Sequence, residues 1–245
     1  MTREKLNRTI RSSLIDMIYP PRCAVCEKIL PPGAIGACPD CIRALPWVRG
    51  ARCVKCGKPI DSPEREYCLD CGMHPHWFQE GRSAFLYEKG ARLAVDRLKF
   101  YNRREYVGFF GQVLQALSEE TFPRWHPDCL VPVPMHPRKK AERGYDQAAL
   151  LAEELGRRLH MSVREDLLVR ARYTGASKKL GRSGRRKNLR GAFAVQDNVQ
   201  IPERIVLIDD IYTTGATMDE AGSVLCRSGV KSIFFLTLCI GRGQN

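Results

Sequence analysis

The 245-residue chain has no apolar run approaching the ~20 residues that a membrane-spanning helix requires, so no membrane span is expected. Nor is an export signal expected in its first residues. Arg3, Lys5, Arg8, Arg11 and Asp16 interrupt the stretch from Met1 to Pro20 and leave no continuous apolar segment there. Leu6, Ile10, Leu14, Met17 and Ile18 instead fall at helical spacing. That pattern reads as an amphipathic helix docked on the protein, since a surface anchor would carry a stronger apolar face. A soluble, cytoplasmic protein is the expectation.

Acidic residues are scarce where basic ones are dense. Forty Lys and Arg oppose 27 Asp and Glu, a formal charge of +13, and the stretch from Val131 to Arg190 holds sixteen bases against six acids. Lys178 to Arg190 contains seven bases and no acid, and a second run comprises Arg138, Lys139, Lys140 and Arg143. Both read as loops, where binding groups concentrate, and such an excess predicts an anionic partner. Aromatic side chains that could stack on bases are few in these segments, Tyr145 and Tyr173 being the nearest.

Cysteine is abundant and ordered. Eight of the eleven form four C-x-x-C pairs, Cys23 with Cys26, Cys38 with Cys41, Cys53 with Cys56, and Cys68 with Cys71. The second two pairs repeat the first two at an offset of thirty residues, which indicates duplication of one small unit. Two intervening residues let two thiolates reach one tetrahedral metal, and two such knuckles complete a shell of four. Up to two structural zinc ions are therefore expected, because a reducing compartment disfavours disulfides and a four-thiolate shell leaves no open position for catalysis. The repeat favours consecutive pairing over an interleaved cross-brace. His74 and His76 lie just outside the pairs and read as non-ligands. Cys129, Cys226 and Cys239 sit in apolar stretches and read as buried core thiols.

Beyond Pro75 the pattern becomes α/β. Strands are predicted at Ser83 to Tyr87, Cys129 to Val133, Ile205 to Ile208 and Ser232 to Cys239. Helices are predicted at Ala91 to Phe100, Arg104 to Leu117, Gln147 to Leu159 and Thr217 to Ser228. The expected division is an N-terminal helix and double zinc ribbon over 1–75, then a parallel sheet flanked by helices over 76–245.

The most informative string is V-L-I-D-D-I-Y-T-T-G-A-T-M, Val206 to Met218. It sets Asp209 and Asp210 at the carboxyl end of a buried strand, followed by a Thr/Gly turn into a helix, at the sheet edge where ligands of such folds bind. Gly215 lets backbone approach an anion, the first amides and the helix dipole favour phosphate, and Thr213, Thr214 and Thr217 add hydroxyl donors. The two acids, expected to face one crevice, suit the vicinal hydroxyls of a ribose.

This string resembles the phosphoribosyl pyrophosphate signature of type I phosphoribosyltransferases. The resemblance implies that Asp209 and Asp210 hold the ribose and that Thr213, Thr214, Gly215, Ala216 and Thr217 cradle the 5′-phosphate. V-P-V-P-M-H-P at Val131 to Pro137 and R-G-Y-D-Q at Arg143 to Gln147, taken with the cysteine pairs, resemble the ComF family of competence-associated proteins. Lys99 with Phe100, Arg185 with Asn188, and Ala192 with Phe193 are similar to weaker landmarks of that family. Two positions depart from its pattern, Asp146 in R-G-Y-D-Q and Ser177 after Thr174 in place of T-x-x-Q.

The resemblance implies a type I phosphoribosyltransferase-like fold, phosphoribosyl pyrophosphate as ligand with Mg2+ bridging its pyrophosphate, and displacement at the anomeric carbon with an acceptor that no residue identifies. Asp209, Asp210 and Arg143 are the candidate catalytic residues, and the basic segment from Lys178 to Arg190 is a candidate lid. The alternative is a fold kept for binding, a non-catalytic factor that engages single-stranded DNA or DNA-uptake proteins through the ribbons and the basic face.

Overall fold

The computed structural model describes residues 18–34, 36–174 and 182–242. The helix expected within Met1 to Pro20 lies almost wholly outside them.

Two ribbons come first, and their thirty-residue repeat is a repeat of hydrogen bonds. The Cys23 amide donates to the Lys28 carbonyl at 2.9 Å, and that of Cys53 donates to Lys58 at 2.7 Å. Bridges join Arg22 to Ile29 and Arg52 to Pro59. Each second knuckle opens a short helix, α1 (Pro39–Ala44) after Cys38 and α2 (Leu69–Met73) after Cys68. The turn after each first knuckle needs a positive φ, 61° at Glu27 and 73° at Gly57. Only Gly57 is also crowded: a Cβ there would stand 2.7 Å from the Gly81 carbonyl, so glycine alone fits.

The body is built on a four-stranded parallel sheet in the order β1-β6-β5-β2. Its strands are β1 (Glu80–Leu86), β2 (Cys129–Pro132), β5 (Arg204–Tyr212) and β6 (Ser232–Ile240). Ile205, Val206, Leu207 and Ile208 are wholly buried because β5 lies between β6 and β2 with both faces covered. Burial of each such side chain contributes roughly 1.5–3 kcal/mol. Both sheet edges are covered. The segment after the first ribbon runs along β1, where the Val48 amide donates to Ala84 and the Leu86 amide to Pro46, both at 2.8 Å. Residues 162–164 do the same for β2 through Leu130. Covered edges discourage pairing with a strand of another chain.

On one face pack α3 (Lys89–Phe100), α4 (Val107–Trp125, entered through a 3₁₀ turn at Arg104–Tyr106) and α6 (Gln147–Leu159). Ala24 and Leu45 of the first ribbon belong to this core. The other core holds Cys53, Cys56 and Cys68 of the second ribbon with Phe78, Tyr212 and Phe235. It also receives the helix after β5, and it is completed by a small antiparallel pair, β3 (Leu168–Val169) with β4 (Ala194–Val195). The two ribbons are thus divided between the two cores.

Three local expectations are corrected. The helix expected to stop at Leu117 continues to Trp125, although Ser118, Thr121 and Pro123 are poor helix formers. The Ser118 and Thr121 hydroxyls bond back to the Gln115 and Leu117 carbonyls, and Trp125 stacks on Phe234 at 4.7 Å, so packing overrides propensity. The basic run at 138–143 is not a loop. It forms α5 (Pro137–Arg143), with His136 as N-cap and Gly144 closing the end at φ 83°. In the irregular segment expected at Lys178 to Arg190, residues 178–181 lie outside those described, and α7 (Arg182–Leu189) occupies most of the rest.

Candidate functional site

The cysteines group by consecutive pairing. The ligand atoms of Cys23, Cys26, Cys38 and Cys41 lie within 4.8 Å of one another, as do those of Cys53, Cys56, Cys68 and Cys71. Four sulfurs placed about 2.3 Å from a tetrahedral zinc stand about 3.8 Å apart. The Sγ separations of 3.9 Å for Cys23 to Cys38, 3.8 Å for Cys26 to Cys38 and 3.7 Å for Cys56 to Cys68 match that tetrahedron. Burial opposes ionisation of Cys23, but amide donors from Cys26 and Cys38 pull its thiol down to about 7. All of these cysteines are free thiols, so the donor set suits up to two structural zinc ions. The second centre is further locked by Lys58, whose Nζ lies 2.8 Å from the Asp70 carboxylate in a nearly buried pair.

At the carboxyl end of β5 the chain turns through 213–215 into α8 (Ala216–Arg227). Gly215 is the N-cap, in the left-handed region at φ 78°, and no side chain caps the helix from that position. The first amides of a helix have no partner within it, so this end offers donors to a group outside the helix and carries the positive end of the helix dipole. Thr213 is exposed, Thr214 and Thr217 are partly so, and Ala216 is buried beneath them.

The acids beside this turn are not equivalent, which corrects the expectation that both face one crevice. As successive strand residues they point to opposite sides. Asp210 is almost fully buried, and Lys99 of α3 places Nζ 2.7 Å from its Oδ2. Asp209 keeps some solvent access though sunk among protein atoms, and its Oδ1 accepts the Asp210 amide at 2.8 Å. Burial, reinforced by the Asp210 carboxylate, pushes the Asp209 carboxyl well above the usual range.

Cations converge from β3 and α5. Arg170, just beyond β3, lies near Asp209 and Asp146, and one of its guanidinium nitrogens reaches the Thr174 hydroxyl at 2.5 Å. Lys139 donates to the Thr174 carbonyl at 3.2 Å, and burial, aided by Arg170, lowers its amine below the usual range. Arg143, the expected catalytic cation, donates to the Gln147 amide oxygen and lies over the Phe100 ring. Asp146 accepts the Ala148 amide at 3.0 Å as the cap of α6 and the Met135 amide at 2.7 Å, so it fixes the chain entering α5. Tyr145 is no stacking residue: it is buried, and its hydroxyl donates to the Leu98 carbonyl. Tyr173 is 41% exposed, with Arg138 and Lys139 within 6 Å of its ring centre.

Comparison with known proteins agrees with the zinc-ribbon geometry. Residues 14–72 match the double zinc ribbon domain family. Over 226 residues the chain is 30% identical to the DNA utilization protein YhgH of Escherichia coli O157:H7, covering 91% of this chain and 98% of that protein. It is 29% identical over 225 residues to competence protein F of Haemophilus influenzae, covering 86% and 93% of the two chains. Competence protein ComFC of Bacillus subtilis is 30% identical over 201 residues, 78% of each. The chain belongs to the ComF family.

In this ComF chain sequence reasoning misses roles that depend on a remote partner, even where, as with Lys99, the residue itself is noted. Lys99 meets Asp210 across 111 positions, and His76 meets Asp219 across 143. Arg170 carries no local signal either, since it only succeeds a two-residue strand. A cavity of about 730 Å³ reaches the first turn of α8, where Ala216 and Asp219 line it. Its other walls include Trp77, Lys187, Arg190 and Arg227, with Glu220 beside them.

Proposed function

We propose that this ComF protein binds phosphoribosyl pyrophosphate at the 213–217 turn and acts as a phosphoribosyltransferase whose acceptor is open. One observation carries the reading: a glycine-led helix start at the carboxyl end of a buried parallel strand that itself bears the recessed Asp209 carboxylate. The helix start suits the 5′-phosphate and Asp209 the ribose hydroxyls. In the transfer, the acceptor forms a bond to the anomeric carbon while the bond to pyrophosphate breaks. Negative charge grows on the leaving group, and Lys139, Arg170 and Arg138 are the cations stationed to meet it. Mg2+ would be held chiefly by the pyrophosphate and by water, as is usual for that ion.

Calorimetric titration with phosphoribosyl pyrophosphate and Mg2+ tests this. Asp209→Asn is expected to weaken binding by about tenfold or more, the cost of losing one charge-assisted contact. The same substitution should raise stability near neutral pH. A carboxyl whose folded pKa is raised contributes stability below its unfolded pKa and loses it as pH rises through the folded value. At neutral pH Asp209 is therefore a burden, and its removal should raise the melting temperature, whereas at pH 4 the two proteins should converge. Unchanged affinity in Asp209→Asn rejects the assignment of the turn.

The names of the relatives support a link to DNA uptake, and the cytoplasm is the compartment that suits eight thiols grouped to hold zinc. A second reading, direct binding of single-stranded DNA, is favoured by two exposed aromatics set among cations. They are Tyr173 beside Arg138 and Lys139, and Trp77, 49% exposed, in the cavity where Lys187, Arg190 and Arg227 outnumber Asp219 and Glu220. Base stacking with phosphate neutralisation predicts affinity for an oligothymidine that falls about tenfold or more between 50 and 200 mM salt, and a further loss in Trp77→Ala. Fluorescence anisotropy at the two salt levels decides it, and salt-insensitive or absent binding removes this reading.

A further inference from the structure

His76 belongs to the segment that leaves the second zinc ribbon and runs against α8. Its ring stacks on Phe78 at 4.8 Å, and its side chain is only 1% exposed. Nδ1 lies 2.9 Å from both carboxylate oxygens of Asp219, while the next amide, that of Trp77, donates to the same carboxylate at 3.4 Å. Trp77 packs so closely on α8 that a Cβ at Gly222 would come within 2.9 Å of it. Segment and helix therefore move together.

The other side of the ring meets the turn. A Cβ at Gly215 would stand 3.3 Å from His76 Cε1 and 2.7 Å from the Tyr212 hydroxyl, so these two side chains fill the space behind the left-handed glycine. Cε1 is bonded to Nε2, which is buried and has no partner among the described residues. An orphaned buried polar atom is costly and calls for an explanation, which points to a role at this turn.

Asp219 gives that role its chemistry. It stands in the first turn of α8, where a carboxylate complements the helix dipole and would compete with an incoming phosphate. His76 Nδ1 stands within hydrogen-bond distance of both of its oxygens.

We propose that His76 is a positioning residue for the anion turn: it keeps the Asp219 carboxylate away from the first amides of α8 and backs Gly215, leaving that end open to the 5′-phosphate of a phosphoribosyl ligand. This rests on the phosphoribosyl reading above. The second ribbon thereby sets the turn, because the segment that carries His76 starts from that ribbon and Tyr212 is buried in the same core as Cys53, Cys56 and Cys68.

The test is calorimetric titration of the full-length zinc-loaded protein with two probes, ribose 5-phosphate and magnesium pyrophosphate, which carries no 5′-phosphate. His76→Ala is expected to weaken ribose 5-phosphate by about tenfold and leave pyrophosphate unchanged. Adding Asp219→Asn to His76→Ala should restore most of the loss, since the competing charge is gone. His76→Asn, which keeps a donor for Asp219, should bind nearly as the parent does and supplies the measurement if the alanine variant does not fold. Equal weakening of both probes, or no rescue by Asp219→Asn, overturns the inference and leaves only a packing role. Parent protein that fails to bind ribose 5-phosphate overturns the phosphoribosyl reading itself, and the inference with it. Parent binding that is unchanged in His76→Ala overturns the inference alone.

Discussion

Stripping zinc from this protein is expected to melt the whole chain in one transition rather than to detach a ribbon from an intact body. Zinc bound to four thiolates contributes an apparent 10–16 kcal/mol in small zinc domains, roughly, and chelation removes that contribution to folding. Here the second centre is also part of the body. Cys53, Cys56 and Cys68 are buried in the core that contains Phe78, Tyr212, Phe235 and Ala216, and the Gly81 amide of β1 donates to the Lys55 carbonyl between Cys53 and Cys56 at 2.7 Å. The first centre is looser, with Cys26 exposed and Cys38 and Cys41 half-buried. Cys56→Ser should therefore lower the melting temperature by more than about 10 °C, given roughly 2–4 °C per kcal/mol for a chain of this length, and Cys26→Ser by clearly less. Differential scanning calorimetry with metal analysis and thiol counting is the measurement. Two separate transitions on chelation, the upper one unchanged, would show the ribbons to be independent appendages.

The same contrast explains how much of the molecule is legible in its residues. The metal centres are legible because their ligands are local: C-x-x-C fixes two sulfurs within one turn, and the thirty-residue repeat assigns the pairs to each centre. β5 is legible because a run of four buried branched residues admits few other readings, and α6 because its apolar stripe begins at an Asp cap. The basic helix α5 reads as a loop when charge is weighed first, although its boundary signals are present, Pro137 just inside the start and Gly144 just past the end. α7 has no apolar stripe to find. Its one described buried side chain at the end, Leu189, packs in the core shared with α8. The inequality of Asp209 and Asp210 is beyond local reading, because it depends on a lysine from another helix.

That lysine carries the last large effect. Lys99→Met leaves the Asp210 carboxylate buried with its cation gone, and removing one member of a buried pair costs about 3–5 kcal/mol. The Lys99 side chain is 17% exposed and that of Asp210 is 4% exposed, so the lower end of that range applies, since water screens the lysine more than the acid. The expected loss is roughly 6–12 °C in melting temperature. Lys99→Met combined with Asp210→Asn should cost much less than the sum of the two single changes, because the second removes the stranded charge that the first creates. Additive losses in that double-mutant cycle would show that the ion pair carries no coupling. Coupling would separate the two acids by role: Asp210 ties β5 to α3 and so fixes the strand end, while Asp209, with no comparable ion pair among the described residues, keeps its carboxylate for whatever the turn binds.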